Sequence, residues 1–246
     1  MKFTSIMVPG VDVIRVLHQY RSEYAKTGQF PFLIGDEETL DYIKYCVNDN
    51  TYDPSEMIRE SLDFDIHKWL EEQLREAESD EFSAVEKLGV WKVSTSNRIR
   101  IFLFNAVEKL GVFPSGIKGQ NSLRLHKDIL TGKIFPEVCL GLAKIDQPWH
   151  LPAVIGYGGC NMCPEPVIQS AFFRYWQEKY GAEIAGVSDD TVECFVRRRP
   201  WTRKAAIELA WEQYWYCNDI VDQGCDTISE LAADLMVSPD WFFWWD

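Results

Sequence analysis

Apolar residues recur at helical spacing between residues 11 and 27, where Val13, Val16, Leu17, Tyr20 and Tyr24 share one face and Gly28 closes the run. Phe30-Pro31-Phe32-Leu33-Ile34 reads as a short buried strand, and Gly35-Asp36 starts a second helix through about Val47. This helix, strand, helix order predicts an α/β layer. Asp53-Pro54-Ser55 opens a helix carrying Met57, Ile58 and Leu62. A further helical run with Ile66, Trp69, Leu70 and Leu74 fades into the polar stretch from Glu76 to Glu81.

Ala84 to Val90 recurs letter for letter at Ala106 to Val112. Two copies are too few for a solenoid, so we read two similar helix ends with Gly89 and Gly111 as C-caps. Residues 91 to 94 and 98 to 104 are expected to pair as strands. Pro114 to Gly119 and Lys127 to Gly132 have loop and turn character, and Val138 to Ile145 reads as a strand. Asp146-Gln147-Pro148 then marks the expected boundary between an N-terminal region, 1–146, and a C-terminal domain, 147–246.

Beyond that point Leu151 to Tyr157 is expected as a strand running into Gly158-Gly159. Glu165 to Tyr180 is expected as a helix with Ile168, Ala171, Phe172, Tyr175 and Trp176 on one side and Gly181 at its end. Glu183 to Val187 and Thr191 to Val196 form a predicted hairpin, and Thr202 opens a helix to about Cys217. Thr227-x-x-Glu230 has the form of a capping box for a helix through Met236. Five adjacent aromatics, Trp241 to Trp245, follow. Each can bury roughly 150 to 250 Å², so they predict a closing strand packed on the core with one or two rings at the surface, rather than a ligand-stacking platform. The fold class expected is α/β, mixed α+β: a mixed sheet flanked by helices, with acidic helices in the N-terminal half and an aromatic-rich C-terminal domain.

Composition changes this picture in one place. The chain carries a net charge of −13 with 46% apolar residues, and from Asp36 to Glu86 there are 17 acidic residues against four basic ones, so the whole excess is concentrated there. Nucleic acid is disfavoured as a partner, because a phosphate-binding face needs a basic excess. A concentrated acidic surface suits a basic protein instead and speeds its approach. The seven cysteines are odd in number and scattered; they fit reduced thiols. With no signal-like N-terminus and no apolar run of spanning length, the expectation is a cytoplasmic protein that does not enter a membrane.

Gly156-Tyr157-Gly158-Gly159-x-Asn161-x-Cys163-Pro164, Tyr180-Gly181-Ala182-Glu183, Tyr214-x-Tyr216-Cys217-x-Asp219-Ile220-Val221-Asp222-Gln223-Gly224 and the terminal Trp-Trp-Asp together resemble a bacterial domain of unknown function, number 4253, over about residues 147 to 246. The sequence departs from that pattern at Cys160, where an aromatic is common, and at Asn218, where proline is common. Proteins similar to it have the acidic, aromatic-rich character of bacterial immunity proteins, which implies a toxin as the partner.

No complete catalytic constellation is present. Cys160-x-x-Cys163 could be half of a zinc site or a redox pair, but no second such pair exists and His18, His67, His126 and His150 are scattered; we expect no metal and no cofactor. Asp219, Asp222 and Gln223, with Cys217 nearby, form a dense polar group, read first as ties that cap the helix at Thr227 and second as an enzymatic site beside Tyr157. The basic run Arg197 to Lys204 reads as a solvated turn or an intramolecular partner for the acidic region. The leading expectation is an immunity protein whose contact residues are Asp63, Asp65, Trp69, Glu71, Glu72, Glu76 and Glu78. An enzyme using the Asp219/Asp222/Gln223 loop, and a scaffold or oligomerisation module, are the alternatives.

Overall fold

The structure is a computed structural model that describes residues 3–48, 53–81, 109–116, 119, 123–159 and 162–246. It divides into two compact units. The first comprises Met1–Phe64, Asn121–Arg198 and Pro239–Asp246, and the second Asp65–Gln120 and Arg199–Ser238. Both units draw on segments either side of residue 146, the boundary expected from sequence.

The first unit contains β1 (Phe3–Pro9), α1 (Val13–Thr27), β2 (Gln29–Gly35), α2 (Glu37–Asn48), α3 (Pro54–Asp63), β3 (Glu137–Lys144), α5 (Leu151–Ile155), α6 (Pro166–Tyr180), β4 (Glu183–Val187), β5 (Thr191–Phe195) and β6 (Asp240–Trp244). The second contains α4 (Ile66–Glu81), α7 (Arg203–Tyr216), a π-helical turn (Ile220–Cys225) and α8 (Ile228–Leu235). The strands form one mixed sheet in the order β1-β3-β2-β4-β5-β6. Every neighbouring pair is antiparallel except β2 and β4, which run parallel. The mixed α/β class expected from sequence is the class found.

Successive side chains of a strand point to opposite faces, and each face of this sheet is closed by a helix. On one, Val13 and Leu17 of α1 pack with Val8, Leu33, Val138, Leu140 and Ala185. Arg21 fixes α1 there: Nη1 donates to the Ile184 carbonyl at 2.9 Å, Nη2 meets Glu183 at 2.7 Å, and the guanidinium lies 5.0 Å from the Phe30 ring and 4.9 Å from that of Phe195. On the other face, Trp176 of α6 stacks on Phe243 of β6 at 5.4 Å and meets Trp241 edge-on at 5.6 Å. Trp241, Phe243 and Trp245 are buried while Phe242 and Trp244 are half-buried. Strand alternation therefore divides the rings of β6, and where one or two rings were expected at the surface, Phe242 and Trp244 are partly exposed.

One expectation is corrected. Leu151 to Tyr157 is not a strand: Pro148 starts a 3-10 turn, Pro152 sits in the first turn of α5, and Gly156 ends the helix at φ 64°. Proline is well placed in a first helical turn, where its missing N–H has no partner to lose. The strand β1 was not anticipated; only two of its seven residues are buried, so its sequence lacks a regular alternation. The first repeat copy, residues 106–108 of the second, and the strands expected at 91–94 and 98–104 lie outside the described residues; Gly111, the expected C-cap of the second copy, follows helical residues 109–110 with φ 62°.

A strap of chain, Leu123 to His126, is tied to the sheet by a buried carboxylate. Glu193 on β5 accepts from the backbone N–H groups of Arg124 and of Leu125, the latter at 3.2 Å, and the Arg124 guanidinium covers the Phe242 ring at 4.4 Å. Burial pushes the Glu193 carboxyl up to about 7; the two amide donors pull the other way, and Asp240 adds to the rise. His126, also buried, is pushed down to about 4 by burial and then by Lys127.

These two groups bias stability in opposite directions. Glu193 holds a proton in the folded state that the unfolded chain releases, so its contribution is present below about pH 4.5 and is lost as pH rises to about 7. Across that window it amounts to about 3 kcal/mol. His126 resists a proton that the unfolded chain accepts, so its contribution grows as pH rises from about 4 to 6.5. Glu193→Gln should therefore leave only the rising slope between pH 4.5 and 6.5 in urea titrations; a slope unchanged from that of the parent chain would disprove this account. Deletion of Trp241 to Asp246 removes three buried aromatics worth roughly 10 kcal/mol together, comparable to the whole stability of a domain. Loss of the cooperative near-UV transition is the expected result, and a retained melt would show that β6 is dispensable.

Candidate functional site

Helix α3 begins at Pro54 because Asp53 caps it, its carboxylate accepting from the Ser55 N–H at 2.9 Å. Met57 and Ser61, one turn apart, are buried, and α3 packs on α6. An adjoining face carries Glu56, Glu60 and Asp63, all exposed like the capping Asp53, spaced at three or four residues so that they form one stripe. Glu56 pairs with Arg59 at 3.0 Å; Glu60 and Asp63 have no ion pair among the described residues. Glu37, Glu38 and Asp41 on α2 are exposed as well, Asp41 pairing with Lys44 at 3.2 Å. Of the seven expected contact residues only Asp63 lies in this unit, at the end of α3. Glu56 and Glu60 were passed over, although their spacing from Asp63 was the signal that could have found them.

The other expected contact residues lie on α4 in the second unit or just before it. Asp65 caps α4: it accepts from the N–H groups of His67 at 3.0 Å and Lys68 at 3.1 Å. A carboxylate so engaged has a structural role worth ~1 kcal/mol. Glu71 and Glu72 pair within the helix with Arg75 at 3.9 Å and Lys68 at 3.5 Å, and Trp69 is half-buried. The side chains of Glu76 and Glu78 lie outside the described residues.

The polar loop of the second unit has a different architecture from the one expected. Residues Ile220–Cys225 form a π-helical turn, a form that recurs at functional sites, and Asp226 after it has φ 64°. Asp222 forms an ion pair with Lys109 and accepts from the Tyr214 hydroxyl at 3.3 Å, while the Lys109 ammonium lies 5.2 Å from the Tyr214 ring. Burial is the largest single effect on Lys109 and opposes its charge, but the hydrogen bonds and charges of Asp222 and Tyr214 together outweigh it and raise the ammonium's pKa; Tyr214 is raised by burial and by Asp222. Asp219, mostly buried, accepts from Gln223 Nε2 at 2.9 Å, and Cys217 is buried. The expected role of these carboxylates as caps is corrected: Thr227 caps α8 itself, its hydroxyl oxygen accepting from the Glu230 N–H at 3.2 Å. Cys225, next to it, is pushed up to about 11 by burial and by Glu230.

Tyr157 lies in the first unit, where its hydroxyl donates to the Thr191 carbonyl at 3.2 Å. Cys160 is outside the described residues, and Cys163 is buried with its sulfur 3.0 Å from Gln169 Nε2. Among the described residues no group of three or more His, Cys, Asp or Glu side chains is placed to hold a metal ion, and no helix is long and apolar enough to cross a membrane.

No curated protein and no solved structure matches this chain. The resemblance carried by the glycine, tyrosine and Asp219–Gly224 motifs is upheld over a segment beginning a few residues before the expected one, inside β3, and ending with β6. Residues 139–246 match the model of the family described as Domain of unknown function (DUF4253), so over that segment the chain is similar to this family.

Proposed function

We propose that the protein is an immunity protein that binds a bacterial toxin domain in the cytoplasm and neutralises it through its acidic helices. The observation that carries this reading is the exposed stripe Glu56, Glu60 and Asp63 on α3, within the segment that holds all of the chain's acidic excess. Two of these carboxylates have no ion pair among the described residues. A partner presenting lysines and arginines would therefore not have to break existing pairs to reach them. Exposed charges of one sign steer an oppositely charged partner and set its rate of arrival more than its final affinity. The resemblance to acidic immunity proteins supports the same choice of partner. The enzymatic reading ranks second, because both oxygens of Asp222 are already engaged by Lys109 and Tyr214.

The test takes a toxin domain sought among the genes neighbouring this one. The triple variant Glu56→Lys, Glu60→Lys, Asp63→Lys should keep its melting transition, since the changed groups are exposed, and should associate with the toxin about tenfold more slowly at low salt, with a flatter salt dependence. Protection of toxin-exposed cells should fall with it. Asp65 is left out of the set because its loss would uncap α4. An unchanged association rate together with unchanged protection would remove α3 from the interface.

A further inference from the structure

The strap from Leu123 to His126 ends on a base and rests on an acid, and both are shut away from water where the strap is seated. Leu123 is buried, and the Leu125 side chain lies against Gly186, at the junction of β2 and β4. One oxygen of the Glu193 carboxyl accepts from the Arg124 N–H and the other from the Leu125 N–H, so the acid touches the strap directly. Lys127 N–H donates to the Arg124 carbonyl at 2.8 Å and Phe135 N–H to the His126 carbonyl at 3.0 Å, which fixes the chain around His126. Glu193 is 2% exposed and His126 5%. The His126 Nδ1 atom is buried with no hydrogen-bond partner among the described residues, so the doubly protonated ring would hold a buried N–H without an acceptor.

Burial disfavours the charged form of each group, which for an acid means keeping its proton and for a base giving it up. The charged groups that face them do not cancel this. Burial is the largest effect on Glu193; the two strap amides and the Arg124 guanidinium favour its carboxylate, and Asp240 on β6 opposes it. Lys127 adds to the effect of burial on His126. With the strap lifted into water, Glu193 is ionised above about pH 4.5 and His126 is protonated below about pH 6.5. Between these limits the lifted strap has one charge of each sign and the seated strap has neither. Seating therefore takes one proton from His126 and puts one on Glu193, and the net uptake is zero. A lone buried carboxyl would loosen the strap as pH rises, whereas a lone buried imidazole would tighten it. Here the two slopes oppose each other on one stretch of four residues.

We propose that the strap is a latch compensated against pH: on seating, the acid beneath it gains a proton as the base at its end gives one up, so its hold on the β2–β4 junction stays nearly constant, and loss of either group turns it into a pH-gated one. The Arg124 and Leu125 amides donate to Glu193, so their hydrogen exchange reports the opening of the strap. In the parent chain their protection, corrected for the intrinsic pH dependence of exchange, should change by less than about threefold between pH 5 and 7. With Glu193→Gln only His126 titrates, and protection should rise across that range by roughly tenfold or more. With His126→Phe only Glu193 titrates, and protection should fall by roughly as much. NMR titration of the Glu193 carboxyl carbon and the His126 ring in the unaltered chain needs no substitution, and at about pH 5.5 it should find the acid protonated and the base neutral. A parent profile that climbs or falls by about tenfold across the range overturns the proposal. So does an ionised Glu193 or a protonated His126 at that pH, or a folded variant whose profile stays as flat as the parent's.

Discussion

Leu33 on β2 and Gly186 on β4 meet where two antiparallel halves of the sheet are joined, and theirs is the registered pair of the sheet's parallel seam. A Cβ on Gly186 would come within 2.8 Å of the Leu33 Cβ and 2.7 Å of the Leu125 side chain, so the seam closes only because that position carries no side chain. The strap bearing Leu125 lies over the joint, and Glu193 holds the strap. Arg21 holds α1 down on the same face through Glu183 and Ile184 of β4. Both attachments therefore bear on the three strands around the seam. A side chain at Gly186 would disturb the sheet, the strap and the helix cover together.

The seam also bears on how the family segment should be understood. Within 139–246 lie most of β3 and all of β4, β5 and β6. The strand between β3 and β4 is β2, contributed from outside that segment. Residues 139–246 thus supply strands on both sides of a gap that another part of the chain fills. Phe30, Phe32, Leu33 and Ile34 are all buried in that position, as befits a strand covered on both faces.

How much of this was legible depended on whether the signal was local. The helices at Val13–Thr27, Pro166–Tyr180 and Arg203–Tyr216 carry their stops and caps within a few residues of their apolar faces, and the β4–β5 hairpin and the aromatic β6 declared themselves by composition. The run Leu151 to Ile155 misled because a short apolar stretch fits a buried helix as well as a buried strand. Among candidate sites, the acidic character of α3 could be read directly, but the capping role of Asp65 depends on backbone geometry. The Lys109–Asp222 pair spans 113 positions, and no sequence pattern connects them. Glu193 had a faint signal, a lone charge between Val192 and Cys194 in an inward-facing strand; its partners are backbone N–H groups and so have no sequence signature.

The order in which the two units occur along the chain has a consequence for synthesis. The second unit's segments, Asp65–Gln120 and Arg199–Ser238, both precede Pro239–Asp246, which returns to the first unit to supply β6. On the ribosome, the face of α6 bearing Phe173 and Trp176 must therefore wait for its covering strand until every residue of the second unit has been made. A stalled or prematurely released chain keeps those rings open to water and to the chaperones and proteases that bind such surfaces. Translation to residue 244 thus becomes a condition that cellular quality control can sense through a single aromatic stack.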